Sequence, residues 1–468
     1  MPNQEKKPKI GLLPLYLELY DRVMPQAREK AENFYDTIVS ELEKRGVEVV
    51  RSNVCRLRAE TEEAVDKLVQ NGADLLVTLH LAYSPSLESV DTLARLRLPL
   101  VVLDTTPAFG YGPRQDPGEL MYNHGIHGVQ DLCNMLLRKG KHFQLEVGHW
   151  EKSDVLDRVV DWAKAALLVT KIRRGRVGLI GRPFDGMGDF MVSPDILRGT
   201  IGIETVTTDF ASLTTFLPEE GASEVREEIE WDLMNFAAPG LTREAHVASA
   251  RASLAVRRWV DLEEANAFTF NFANLRRSAG FPTAPFLEAS KAMASGKGYA
   301  GEGDILTAAL VGALLSRYPG TTFTEMFCPD WEGDTILLSH MGEINLRLSD
   351  GKPTLVQKEM PWIDAECPPI IPASRLRGGN AVLVNLAPAG DDEYRLILAP
   401  VRVVQIEGED TMTDSIRGWL SPPTTVSDFL REFSRAGGTH HSALAYDAPL
   451  EELVRFGKLM NWDLVVIK

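Results

Sequence analysis

The chain has 468 residues, 44% of them hydrophobic and 25% charged, which predicts about two to four domains with large cores that need no staples. Lys and Arg number 50 against 66 Asp and Glu, a formal net charge of -16 with no basic stripe, so neither nucleic acid nor an anionic membrane is an expected partner. The 4 cysteines (Cys55, Cys133, Cys328, Cys367) are far apart and never form CxxC, which argues against a disulfide framework or a cysteine zinc site and fits a reducing cytoplasm.

The N-terminal stretch places two lysines before a short apolar run, as a signal peptide does. The run is broken by Pro14 and Glu18 and lacks a small-residue cleavage site, so Lys9 to Leu17 is expected to be a first strand. No apolar stretch reaches the roughly 18 residues needed to span a membrane.

Strand and helix signals then alternate. Arg22 to Arg45 reads as one helix, Val47 to Val54 as a strand, Glu60 to Gln70 as a helix and Ala73 to His80 as a strand. Val90 to Leu96 is helical and Leu98 to Asp104 is a buried strand, with helices following Met121 and Lys152. Near-continuous apolar strands separated by helices predict a parallel sheet covered on both faces. A second α/β unit opens at Arg176 to Gly181, continues with helices over Glu219 to Asn235 and Thr242 to Val260, a strand at Ala267 to Phe272, and a helix at Ala284 to Ser295.

From Gly301 the texture changes. One helix, Asp304 to Arg317, precedes short strand candidates at Thr321 to Met326, Thr335 to His340, Ile344 to Leu348, Thr354 to Glu359, Ala381 to Leu386, Tyr394 to Leu398 and Val401 to Ile406, separated by turn signals such as Glu332-Gly333-Asp334 and Gly390-Asp391-Asp392. That spacing predicts an antiparallel sheet or barrel. Helices at Thr425 to Arg435 and Leu450 to Met460 and a strand at Leu464 to Ile467 close the chain. The expected fold is α/β: two doubly wound parallel-sheet domains, residues 1–173 and 174–300, then a β-rich, barrel-like domain over 301–468.

Two phosphate-loop readings fail. Ala294 to Gly298 contains Gly-Lys but lacks the full Walker pattern and a leading strand, and Gly178, Gly181, Gly186 and Gly188 do not give GxGxxG. The histidines say more. His340 ends a strand, and His440-His441 follow two glycines that permit unusual backbone angles. Glu302 sits before a helix where Asp304 already suits the N-cap, and Glu325 ends an apolar strand, a costly place for an acid that is neither paired nor metal-bound. Two carboxylates and two imidazoles suit a borderline or hard divalent ion, and Glu302, Glu325, His340 and one of His440 and His441 supply that set.

These segments resemble the L-arabinose isomerase family, metal-dependent aldose–ketose isomerases of the fucose/arabinose isomerase fold. Asn123 to Gly128 is similar to its NQxxHG stretch, Gly181 to Met187 to RFGDNM, Thr269 to Phe272 to TTNFE, Gly301 to Ala309 to EGDWKTAA, Ser339 to Glu343 to AHMLE, and Gly437 to His441 to GGTHH. The resemblance implies an enzyme that interconverts L-arabinose and L-ribulose, and D-galactose and D-tagatose, through an enediol. It implies Mn2+, or else Co2+ or Mg2+, on Glu302, Glu325, His340 and His441 (or His440), with Glu302 and Glu325 doing the proton chemistry. His127 and Met187 would lie near the sugar with Phe272 as an apolar wall, and His124 and Tyr16 complete the expected substrate contacts. A homo-oligomer, hexamer or tetramer, with the site near a subunit interface is also implied. The chain departs from the family in three places: Leu13 to Leu17 lacks SQxLYG, His124 stands for Gln, and Ala273 stands for an acid. These bear on which sugar is used, so an isomerase of another aldose and a non-catalytic sugar-binding homologue are the alternatives.

Overall fold

The computed structural model describes residues 7–390 and 392–468. Residues 1–6, with part of the basic leader, and Asp391, in the turn expected at Gly390 to Asp392, lie outside the described residues. The chain divides into two compact units: residues up to Thr170 with Arg455–Asn461, and Lys171–Val454 with Trp462–Lys468.

The first unit is built on five parallel strands: β1 (Lys9–Leu15), β2 (Glu48–Arg51), β3 (Leu75–His80), β4 (Leu100–Asp104) and β5 (Gln144–Val147). Their order is β2-β1-β3-β4-β5. β1, β3 and β4 are buried almost throughout, which is why they read as continuous apolar runs. β5 carries no such signal, being a four-residue edge strand with Leu145 and Val147 exposed. The single helix expected over Arg22 to Arg45 is two, Glu18–Val23 and Ala27–Lys44. Pro25 falls in the gap, where its missing N–H and fixed φ favour a break. The longer helix buries Ala31, Phe34, Tyr35, Ile38 and Leu42 along one stripe.

The second unit holds two sheets. The smaller is parallel and four-stranded, β6 (Arg176–Ile180), β7 (Glu204–Thr208), β8 (Ala267–Phe270) and β9 (Gly298–Gly301), in the order β7-β6-β8-β9. β9, Gly-Tyr-Ala-Gly, carries little strand propensity and was not expected. It forms because helix Ile305–Leu315 lies flat on it: a Cβ on Gly298 would stand 2.3 Å from the Ala308 carbonyl oxygen and 2.5 Å from the Gly312 nitrogen. That helix is apolar on every face and buried at nearly every position, between the parallel sheet and strands of the second sheet.

The second sheet has nine strands: β10 (Thr321–Asp330), β11 (Thr335–Ser339), β12 (Thr354–Gln357), β13 (Ile370–Arg375), β14 (Gly379–Pro388), β15 (Tyr394–Val403), β16 (Ile416–Ser421), β17 (His441–Tyr446) and β18 (Asp463–Val466). Its order is β12-β13-β16-β11-β10-β17-β14-β15-β18, and β15 also pairs with β16, which closes the strands from β16 round to β15 into a barrel. Pairing is mostly antiparallel, with parallel β13–β16 and β15–β18, so the sheet is mixed where an antiparallel one was expected. Leu338, Leu383, Ile397, Leu420 and Leu444 share its apolar core.

Three further expectations change. Tyr394 to Leu398 and Val401 to Ile406 are one strand, because Pro400 sits within β15 opposite Val382 without ending the ladder. Ile344 to Leu348 is no strand: Asn345 takes the Arg347 N–H on its side chain and donates to the Pro319 and Thr321 carbonyls, turning the chain into a short 3₁₀ helix at Leu346–Leu348. Finally, His441 does not lie in a loop beyond a helix; it opens β17, in the middle of the large sheet. Among the described residues no helix is long and apolar enough to cross a membrane.

Candidate metal centre

The site forms where β9 ends and helix Ile305–Leu315 begins. Between them Glu302 adopts φ +62°, the left-handed region that non-glycine residues rarely occupy. Such strain costs on the order of 1–3 kcal/mol and persists only where the surroundings impose it. Here the Asp304 N–H closes back on the Gly301 carbonyl at 3.0 Å, and the Phe184 N–H caps the Glu302 carbonyl at 2.9 Å. The result turns the Glu302 carboxyl toward His440 and His441, whose Nε2 atoms stand 3.7 and 3.5 Å from its Oε2. Glu302, His440 and His441 offer ligand atoms within 4.8 Å of one another.

Each imidazole is oriented by an acid behind it. The Nδ1 of His441 meets Oδ2 of Asp304 at 3.0 Å, while Oδ1 of the same Asp304 takes the Thr307 N–H at 2.8 Å and caps the helix. Nδ1 of His340 meets Oε2 of Glu343 at 2.8 Å, and Glu343 also accepts from the Gly342 N–H and from the Tyr299 hydroxyl at 2.6 Å. Burial drives the Tyr299 hydroxyl well above its ordinary range, and the neighbouring Glu343 adds to this, so it remains a donor. Nδ1 of His440 meets Oδ2 of Asp189 at 2.7 Å. An acid on one ring nitrogen fixes tautomer and ring direction and leaves the other nitrogen for a metal or substrate.

The sheet sets the rest. In the antiparallel register Glu325 of β10 lies between His441 of β17 and Ser339 of β11, so Glu325 and His441 share a face. The Glu325 side chain makes no ion pair or hydrogen bond among the described residues, and the residue is half-buried. The Phe323 ring meets His340 and His441 edge-on at 4.7 and 4.9 Å, and Phe190 stacks on His441 at 5.0 Å and 14°. His340 approaches this close because β9 ends in glycine: a Cβ on Gly301 would lie 2.5 Å from His340 Cε1.

The electrostatics follow from burial and pairing. Burial alone would raise the Glu302 carboxyl, but the facing imidazoles of His440 and His441, helped by His340, hold it at about 2. Burial would lower His441, and Asp304 and Glu302 outweigh it, lifting the ring to about 9. His440 is raised as well, against its own burial, by Glu302 and Asp189.

The residue chemistry fits a divalent cation. Among the described residues His441 Nε2 is buried with no hydrogen-bond partner, a cost that a metal ion removes, and the acid-backed imidazoles beside two glutamates form a nitrogen and oxygen donor set.

Of the residues expected from sequence, Glu302, His440 and His441 come together, with Glu325 on the adjoining β10 and His340 just past the end of β11, its ring 5.7 Å from that of His441. Met187 lies in the loop after β6, and Phe272, in the turn after β8, packs on Phe184 at 5.8 Å. Tyr16, His124 and His127 belong to the first unit. There they join an aromatic cluster: the His124 ring nitrogen meets the Tyr20 hydroxyl at 2.8 Å, Tyr16 meets Tyr20 edge-on, and His124 and His127 rings stand 5.0 Å apart. Sequence reasoning gave no role to Glu343 or Asp189 and gave Asp304 only its cap. Glu343 carried a signal, an acid three residues after His340 in a buried turn; Asp189 carried none.

The model of the L-arabinose isomerase central domain matches residues 210–316, and that of the L-arabinose isomerase C-terminal domain matches residues 320–463. Among curated proteins, L-arabinose isomerase 2 of Bacillus licheniformis is 26% identical over 388 residues, covering 76% of this chain and 76% of the relative. L-arabinose isomerase of Geobacillus kaustophilus is 26% identical over 410 residues, 84% and 80% of the two chains, and that of Geobacillus stearothermophilus is 25% identical over 413 residues, 84% and 81%.

Proposed function

Because the chain belongs to the L-arabinose isomerase family and is an isomerase enzyme, we propose that it interconverts L-arabinose and L-ribulose in a metal-dependent reaction, with D-galactose and D-tagatose as a second pair. The observation that carries this reading is the Glu302 carboxyl facing two imidazoles, one of them backed by Asp304 and buried with its Nε2 lacking a hydrogen bond among the described residues.

Glu302, Glu325, His340 and His441 are the residues that would hold Mn2+, and the ion would supply Lewis-acid stabilisation of the oxyanion that develops on the sugar. The protein's own part is proton transfer and exclusion of water. In the aldose-to-ketose direction a carboxylate takes the proton from C2 while the C1 oxygen gains one, giving the enediol. Return of a proton to C1 and loss of the O2 proton then gives the ketose. Glu302 and Glu325 are the carboxylates for these transfers, a contribution of about 10²–10⁴-fold. Phe190 and Phe323 flank the imidazoles and keep the proton's path dry. Asp304 and Glu343 hold the rings so that no reorganisation is needed as charge develops.

The departures at Leu13 to Leu17, His124 and Ala273 favour a second reading in which the same chemistry serves another aldose. A panel of aldopentoses and aldohexoses, assayed for ketose with the Mn2+-loaded protein, decides between them: L-arabinose turned over fastest supports the first reading, another aldose the second, and binding without any ketose identifies a sugar-binding homologue. The enzyme acts as a homo-oligomer, a proposal that light scattering showing a fully active monomer would contradict.

A further inference from the structure

The loop after β6 reaches the His440-His441 pair through two consecutive residues. Oδ2 of Asp189 accepts both the backbone N–H of His440 at 2.9 Å and its Nδ1–H at 2.7 Å, a contact across 251 positions of sequence. The next residue, Phe190, is 3% exposed and lies nearly parallel to the His441 ring, with its centroid 5.6 Å from that of His440. A free imidazole has two broad orientations about its last side-chain torsion. One acceptor bound to both the backbone and Nδ1 of the same residue selects a single orientation, and that orientation leaves Nε2 on the side of Glu302, 3.7 Å from its carboxyl.

We propose that Asp189 is a positioning residue of this site: it fixes the His440 ring with the proton on Nδ1 and Nε2 presented to Glu302 and the substrate. Together with Phe190, which stacks on His441, it makes the loop between β6 and helix Pro194–Thr200 a second support of the histidine pair beside Asp304. The family resemblance gives Asp189 no role, and no local sequence pattern connects it with His440. Asp304 and Glu343 orient His441 and His340 in the same manner, so three imidazoles are each held by a separate acid. This inference rests on the isomerase reading of the site, and its test is arranged so that the two fail separately.

The test uses the full chain and the variants Asp189→Ala and Asp189→Asn. The asparagine keeps an oxygen that can accept from His440, whereas alanine keeps none. In the metal-free protein with ¹⁵N-labelled histidine, two-bond ¹H–¹⁵N correlation spectra report which ring nitrogen carries the proton, the His440 signals being those lost in His440→Gln. The parent and Asp189→Asn should show a proton held on Nδ1 of His440, and Asp189→Ala should show a shifted, averaged Nδ1 signal. In the Mn2+-loaded enzyme, kcat should fall about 10–100-fold in Asp189→Ala, the range typical for loss of an acid behind such an imidazole, with KM little changed. Asp189→Asn should restore most of it, and both variants should keep the parent's thermal midpoint. Unchanged His440 signals in Asp189→Ala, a parental kcat in that variant, or a loss of rate explained by a lowered thermal midpoint overturns the proposal. A parent chain that makes no ketose from any aldose overturns the isomerase reading instead, and the spectra still decide whether Asp189 holds His440.

Discussion

Gly301→Ala tests whether the geometry of His340 governs the reaction. The added Cβ would lie 2.5 Å from His340 Cε1 and 2.9 Å from Nε2. Carbon atoms in contact settle at about 3.5 Å or more, so ring and backbone must part by about 1 Å. The backbone is held: the Glu302 N–H bonds the Phe270 carbonyl at 3.0 Å, and Thr269 donates to the Gly301 carbonyl at 3.2 Å. The ring is the part that moves, against its 2.8 Å bond to Glu343 and its contact with Phe323. Overpacking of this kind costs about 1–3 kcal/mol of stability, which a chain of this size survives. A displacement of about 1 Å at a reacting centre costs about 10²-fold in rate. The expected variant is folded, with its thermal midpoint lowered by a few degrees, kcat down about 10²-fold and Mn2+ affinity down about 10–100-fold. Ketose formation at saturating sugar, a Mn2+ titration and a thermal melt on one preparation read all three. A folded Gly301→Ala enzyme with parental kcat and Mn2+ affinity would refute the placement of His340 at the working site.

Glu302→Gln and Glu325→Gln should each lower kcat by about 10²–10⁴-fold even at saturating Mn2+, where direct analysis should find metal occupancy near that of the parent, whereas excess metal should restore part of the rate of His340→Gln; a Glu325→Gln enzyme with full metal and near-parental kcat would remove Glu325 from the proton path. Asp304→Ala should lose about 1 kcal/mol from the uncapped helix and about 10–100-fold in Mn2+ affinity, and a lowered melt with an unchanged Mn2+ titration would reduce Asp304 to a cap. His80, at the end of β3, is buried with neither ring nitrogen hydrogen-bonded among the described residues, and burial, only partly offset by Asp131, lowers it to about 4. Its folded value lies below the ordinary 6.5 of the unfolded chain, so its neutral form adds stability that is fully present above pH 6.5 and is lost as the pH falls toward 4. Denaturant unfolding should show about 2 kcal/mol lost from this group between pH 7 and pH 5, and His80→Phe should flatten that limb; an equal slope in the variant would contradict the assignment.

The sequence made parts of this site readable because their physics is local. Glu302 stood out once Asp304 explained the cap, and the cap is as expected, its Oδ1 on the Thr307 N–H. What Asp304 does with its other oxygen depends on β17 passing 137 positions later, and no local pattern encodes that. His441 reads as loop because Gly-Gly-Thr precedes it, yet it pairs with Glu325 because β17 is claimed by β10 on one side and β14 on the other. β9 failed for the opposite reason: its small residues have weak strand propensity, and the close approach of a helix backbone selects them. The barrel was readable as many short strands with turns, but its closure by β15 and β16, through Arg402 to Ser421 and Val403 to Leu420, is a tertiary fact.

Turnover by this isomerase is expected to require a divalent ion on the glutamates and histidines around Glu302. The direct measurement is ketose formation from L-arabinose by one preparation in three states: as isolated, after exhaustive chelation with metal content verified as nil, and after return of Mn2+ or Co2+. Activity should be abolished in the second state and restored in the third. Undiminished turnover by the verified metal-free protein would contradict it.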